Sequence, residues 1–248
     1  MEYADLGDLQ NKINSNTNSK LSFPEQEIWK AAIDLTKGLT ILHKMSILHR
    51  DLKSANIFIT KTPKGIVYKI GDLNVAKIAK KDGFVYTQTG TPYYASPEVW
   101  RDEPYDNKSD IWSLGCVLYE MCALKPPFMA NDMEGLFNKV QMGLYERIPQ
   151  KYSNDLSCFL SSLLKVNPQQ RPSCEQIMRN PLFQKYQNQQ EITKQITNHT
   201  CQKQELLQTI IVPKNLGQLK GSRHPIRIQS IPIVNNILIN NKRVSGKV

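Results

Sequence analysis

Residues 1–185 of this 248-residue chain predict a mainly α-helical fold carrying one small β-hairpin. Three patterns carry that expectation. Ile28, Ala32, Leu35, Leu39 and Leu42 recur at steps of three and four, the spacing of one apolar face on a long helix. Residues 110–123 are apolar nearly all round (Ile111, Trp112, Leu114, Cys116, Val117, Leu118, Met121), which predicts a helix buried on every side. Between these two helices, the β-branched or aromatic runs Ile57–Thr60 and Ile66–Ile70 flank Lys61-Thr62-Pro63-Lys64-Gly65, which reads as a hairpin loop.

In chain order, Ser22-Phe23-Pro24-Glu25 fits a capping box that would start the first long helix. Its polar side carries Lys30, Asp34, Lys37 and Lys44. After the hairpin, an irregular stretch runs from Asp72 to Glu98 and contains Gly83, Gly90 and Pro92. Stretches of that length in a compact domain are usually functional or disordered. Shorter helices are expected over Asp132–Val140, Asn154–Leu164 and Cys174–Met178. The five cysteines (116, 122, 158, 174, 201) form no Cys-x-x-Cys pair and read as core-filling thiols.

Composition narrows the class. Hydrophobic residues at 40% and charged residues at 22% suit a globular chain and exclude collagen-like or wholly disordered sequence. No apolar run is long enough for a membrane-spanning helix. A secretory leader is not expected either, so a cytoplasmic location is. The net charge of +10 is uneven: residues 1–185 carry 23 Lys+Arg against 20 Asp+Glu, and residues 186–248 carry 9 against 2. The second segment reads as a basic, mostly flexible tail able to meet an acidic protein partner. Its scattered basic residues lack interleaved aromatics, so specific nucleic-acid binding is not expected.

The chemistry concentrates in His49-Arg50-Asp51-Leu52-Lys53-Ser54-Ala55-Asn56, with Asp72 beyond the hairpin. A hairpin returns the chain to its start, so Asp51, Asn56 and Asp72 can converge. The Asn56 amide oxygen and the Asp72 carboxylate suit Mg²⁺, which takes few protein ligands and keeps phosphate and water oxygens. Asp51 is then free to accept a hydroxyl proton, and Lys53 can neutralise charge on a transferring phosphate.

These motifs make residues 1–185 similar to the C-terminal lobe of a eukaryotic protein kinase, an α+β fold of which this is an incomplete part. His49 to Asn56 matches the catalytic-loop signature H-R-D-L-K-x-x-N. Ser96-Pro97-Glu98 resembles the Ala-Pro-Glu element, with Arg171 placed as the arginine that pairs with its glutamate. Asp110-Ile111-Trp112-Ser113-Leu114-Gly115 resembles the central-helix motif whose aspartate holds the catalytic loop. Gly90-Thr91-Pro92-Tyr93-Tyr94, and Ile57-Phe58 after Asn56, resemble the NIMA-related branch in particular.

The resemblance implies ATP and Mg²⁺ as cofactors and protein serine or threonine hydroxyls as acceptors. It implies Asp51 as catalytic base, Lys53 as the γ-phosphate contact, and Asn56 and Asp72 as magnesium ligands. Lys53 and Thr91 fit serine/threonine specificity. Glu2 and Ala4 would meet adenine at the hinge, Asp8 the ribose, and Phe58 the underside of the base. Thr87 is the first choice for an activating phosphosite and Thr89 the second, with Arg50 as partner for the added phosphate. His49, Arg50, Glu98, Asp110 and Arg171 would be structural. Cytoskeletal or nuclear association is also possible on the same resemblance.

Two departures stand out. Asp72-Leu73-Asn74 replaces Asp-Phe-Gly, a variant that keeps the aspartate and an apolar plug. No two of the twelve glycines are separated by a single residue, so no Gly-x-Gly phosphate-covering loop exists in these residues. The expectation is a chain that starts at the hinge without an N-lobe and transfers phosphate poorly by itself. The alternative is a kinase-derived interaction module without catalysis.

Overall fold

Trp29 and Trp112, each wholly buried, lie in the first halves of the two helices that organise the protein. The computed structural model describes residues 4–63, 65–73, 77–78 and 92–189. Its elements are α1 (Leu9–Asn18), α2 (Glu25–Lys44), β1 (Ile47–Leu48), β2 (Ile57–Thr62), β3 (Gly65–Ile70), β4 (Lys77–Ile78), α3 (Pro97–Trp100), α4 (Asn107–Ala123), α5 (Met133–Met142), α6 (Asn154–Leu163) and α7 (Cys174–Arg179). Residues 181–189 are helical as well, and short 3₁₀ turns cover Ser54–Asn56, Pro92–Tyr94 and Pro168–Gln170.

The expected apolar face of α2 is the buried one: Ile28, Ala32, Leu35 and Leu39 are fully enclosed, with Leu42 packed at the margin. Burying each large aliphatic side chain is worth about 1.5–3 kcal/mol. The capping box does not form. The N-cap is Pro24, so Glu25 is the first helical residue rather than the third, which a cap at Ser22 would make it. Its carboxylate instead accepts from Trp29 Nε1 (3.1 Å), Ser153 N (2.8 Å) and Ser153 Oγ (2.5 Å), tying α2 to the N-cap of α6.

Helix α4 starts three residues before the expected Asp110, because Asp106 and Ser109 make the capping box there. From Ser109 to Cys122 every residue is buried. A Cβ on Gly115 would lie 2.9 Å from Leu164 Cδ2 and 3.0 Å from Leu163 Cβ, so glycine is what lets α6 approach this closely. Trp112 stacks on Phe128, 5.1 Å between centroids at 7°.

Strands β2 and β3 pair antiparallel from Ile57↔Ile70 to Thr62↔Gly65. Lys61, Thr62 and Gly65 therefore belong to the strands, not to the expected loop. Gly65 has φ +104°, a conformation that glycine adopts without Cβ strain. The stretch after Asp72 is not wholly irregular: Lys77–Ile78 pairs with Ile47–Leu48, and Pro97–Trp100 is helical. Helix α1, strand β1 and the helix at 181–189 went unrecognised in the sequence. Tyr186 stacks on Trp29 (4.2 Å, 9°), so packing continues past residue 185. Cys116, Cys122 and Cys174 are buried as expected; Cys158 is exposed, a correction, and Cys201 lies outside the described residues. No helix among the described residues is long and apolar enough to cross a membrane.

Candidate active site

The segment between β1 and β2 carries polar side chains because buried α4 supplies their anchor. Asp110, fully buried, accepts four hydrogen bonds: from His49 N (3.1 Å), Arg50 N (3.1 Å), Tyr105 Oη (2.7 Å) and His43 Nε2 (2.8 Å). A carboxylate so enclosed needs such partners. The two backbone donors fix the turn at Arg50, whose φ of +72° is unusual for a side-chain-bearing residue. His49 Nε2 lies 3.0 Å from Gly71 O, linking this turn to the end of β3.

Asp51 follows directly. Its Oδ2 accepts from Lys53 Nζ (2.7 Å) and Asn56 Nδ2 (3.0 Å), while Asn56 Nδ2 also donates to Asp51 O (2.8 Å). Among the described residues Oδ1 is left as an acceptor, at a side chain that retains 10% exposure. With its NH₂ turned to Asp51, Asn56 leaves its amide oxygen for a cation, the donor type that Mg²⁺ prefers. Gly71 N donates to Asn56 O (2.9 Å), which brings the backbone of Asp72 beside Asn56. Asp72 has φ +55°.

The segment at residues 5–8 runs along β2. Leu6 N donates to Ile59 O (3.1 Å), Ile59 N to Gly7 O (2.8 Å), and Asp8 bridges Phe58. Asp8 and Phe58 are thus neighbours, with Ala4 a few residues upstream. The Asp8 side chain is the N-cap of α1, accepting from Asn11 N (2.8 Å) and Asn11 Nδ2 (2.7 Å). A Cβ on Gly71 would fall 2.5 Å from the Phe58 ring, so the backbone before Asp72 lies directly against that ring. Glu2, Thr87, Thr89 and Thr91 lie outside the described residues.

Glu98 and Arg171 meet as two parallel bonds of 2.7 Å, both side chains almost fully buried. Arg171 further donates to the carbonyls of Lys165 (2.7 Å), Lys108 (2.9 Å) and Val166 (3.0 Å), so all five guanidinium N–H groups are used. Burial alone would raise the Glu98 carboxyl; Arg171 outweighs it and holds the group below the usual range.

Two clusters escaped the sequence reading. His43 and Tyr105 share Asp110, and a signal existed for His43. It falls four residues after Leu39 on the apolar face of α2, where a polar residue needs a buried partner. The second cluster joins Gln10, Ser54, Tyr94 and Glu120: Ser54 Oγ donates to Gln10 Oε1 (2.6 Å) and lies 2.9 Å from Tyr94 Oη, which donates to Glu120 (2.7 Å). Burial pushes the Glu120 carboxyl up.

The His43–Asp110 pair makes stability depend on pH. Burial works to lower the imidazole, but Asp110 and then Cys174 outweigh it and push it from its ordinary 6.5 up to about 9. The fold therefore binds a proton that the unfolded chain has released. This stabilisation is full below pH 6.5 and lost as pH rises through about 9, a change of about 3 kcal/mol at most. Asp110 is depressed, burial opposing and His43 prevailing, so its share is lost only as pH falls below the ordinary aspartate range. Urea unfolding at pH 6 and pH 9.5 will show wild type losing more stability than His43→Gln; equal losses would remove His43 as the source.

Comparison with known proteins identifies this arrangement. Residues 1–183 match the family model for the protein kinase domain. The chain belongs to the protein kinase family. Among curated relatives, this kinase chain is 44% identical to serine/threonine-protein kinase Nek3 of Mus musculus over 179 residues, 72% of this chain and 34% of the relative. It is 40% identical to Nek5 of Homo sapiens over 185 residues, 74% of this chain and 26% of the relative. With Nek2 of Homo sapiens the identity is 41% over 189 residues, 74% of this chain and 42% of the relative. The kinase chain thus spans less than half the length of each.

Proposed function

We propose that this chain is a serine/threonine protein kinase of the NIMA-related branch, working in the cytoplasm on protein substrates with ATP and Mg²⁺. One observation carries the reading. Among the described residues, Asp51 Oδ1 has no hydrogen-bond partner while Lys53 and Asn56 fix Oδ2, on a turn locked to buried Asp110. Bound Mg–ATP supplies the phosphoryl group and most of the charge neutralisation. In this reading Asp51 takes the proton of the acceptor hydroxyl, and Lys53 is drawn toward the transferred phosphate. Asn56 and Asp72 hold the metal through oxygen. Ala4, Glu2, Asp8 and Phe58 form the nucleoside side, with Thr91 beside the acceptor. Thr87, then Thr89, takes an activating phosphate that Arg50 pairs with. The names of the relatives and the position of Lys53 support serine/threonine acceptors. The basic residues after 185 suit an acidic protein partner.

A polypeptide of these 248 residues alone is expected to transfer phosphate weakly, since it holds no Gly-x-Gly pair to cover the phosphates. The test is labelled phosphate transfer from Mg–ATP to serine, threonine and tyrosine peptides. The chain is assayed alone and again joined behind the glycine-rich segment of a related kinase. Serine/threonine labelling by the joined protein, abolished by removing Mg²⁺, is the expected result. No transfer by the joined protein would overturn the reading. A second reading, a binding module without catalysis, is favoured by exposed Leu6 (46%) and Leu73 (48%) next to the site, and it predicts that negative outcome.

A further inference from the structure

Cys174, at the start of α7, lies with Sγ 3.5 Å from His43 Nδ1. The other imidazole nitrogen is 2.8 Å from Asp110 Oδ2, and Asp110 in turn holds the backbone N–H groups of His49 and Arg50. Thiol, imidazole and carboxylate stand in the order of a nucleophilic triad. Here, however, Cys174 is 3% exposed and Asp110 wholly buried, so no substrate reaches the sulfur. The chain of hydrogen bonds leads the other way, from α7 through the end of α2 into the catalytic loop.

We propose that Cys174 is a positioning residue for the catalytic loop: its sulfur fixes His43 in the state and orientation that keep Asp110 on the His49 and Arg50 backbone.

The chemistry favours this assignment. When the imidazole is protonated, both nitrogens are donors, so with Nε2 on Asp110 the Nδ1–H is left in need of an acceptor in the buried space. Sulfur is that acceptor. When the imidazole is neutral the thiol becomes the donor, and the bond persists. The groups facing His43 are Asp110 from α4 and Cys174 from α7. Tyr105 and Arg50 act on Asp110, and Lys108 interacts with Cys174, so neither other acid nor other acceptor competes for Nδ1 among the described residues. The upward push on His43 by both partners agrees with this geometry. The inference rests on reading His49–Asn56 as the catalytic loop, but its test needs no phosphate transfer.

The experiment is a histidine-selective NMR titration of the 248-residue chain, with His43→Gln identifying the signal among the four histidines. Amide exchange at His49 and Arg50 is measured alongside. Cys174→Ala should lower the His43 midpoint by about one unit and speed exchange at the two amides several-fold. Cys174→Ser, which keeps a donor and an acceptor, should restore both. A folded Cys174→Ala protein with an unchanged midpoint and unchanged exchange overturns the proposal. So does a Cys174→Ser protein that behaves like the alanine variant, because packing rather than the hydrogen bond would then be responsible. Should the joined protein transfer no phosphate while these shifts appear in the 248-residue chain, the functional reading fails and the positioning relay stands.

Discussion

Asp51→Asn will lower serine/threonine phosphorylation about 10²–10⁴-fold, the range in which a positioned general base contributes. The amide keeps size and shape, and one oxygen can still accept from Lys53 and Asn56, as Asp51 Oδ2 does at 2.7 and 3.0 Å. Because the loop is anchored through backbone bonds to Asp110 and not through the Asp51 side chain, the fold should hold to within about 1 kcal/mol. The measurement pairs initial rates in the joined protein with its unfolding midpoint. A rate loss matched by a comparable loss of folded protein would show that Asp51 is structural; transfer that survives the substitution would move the base elsewhere.

Arg171→Ala should destabilise the fold by about 3–5 kcal/mol, since it leaves Glu98 charged, buried and without its cation. For a chain of this size that is a fall in melting temperature of about 10 °C. Replacing a buried ion pair by apolar residues is often neutral, but that remedy should fail here. Arg171 also serves the carbonyls of Lys165, Lys108 and Val166, which no apolar side chain can satisfy. Arg171→Lys should recover little, for an ammonium cannot make two parallel bonds to Glu98 and three more in the same plane. Thermal unfolding of Arg171→Ala, Arg171→Lys and the Glu98→Met/Arg171→Met double variant checks this. A double variant as stable as wild type would mean that the three carbonyl bonds contribute nothing.

Regular periodicity made part of this molecule legible. The face of α2 and the all-round burial of α4 follow from apolar spacing, and both are seen in the structure. The capping box failed because its residues match a local pattern whose energy, about 1 kcal/mol, is small beside the tertiary bonds that Glu25 makes with Ser153, 128 residues away. Helix α1 was missed for the opposite reason. LQNKINSNTN is mostly polar, and only Leu9 and Ile13 are buried, so its stability comes from the Asp8 cap and from packing that the sequence does not display. Strand β1 is two residues long, and its partner lies some 30 residues on. At the site, motif order brought out Asp51, Asn56, Asp110 and Arg171, while His43 belonged to no motif. Only its place on the apolar face of α2, four residues after Leu39, points to it.

The partners that close this fold are far apart along the chain, and that separation sets an order of events during synthesis. Glu98 and Arg171 are 73 residues apart, so at about 5–20 residues per second the glutamate is incorporated roughly 4–15 s before its arginine. Until then, α4 has no complete set of neighbours for the wholly buried stretch from Ser109 to Cys122. The nascent chain therefore passes through a period in which its most apolar helix is synthesised yet uncovered. A chaperone that recognises the segment from Ile111 to Met121 would have that interval in which to act.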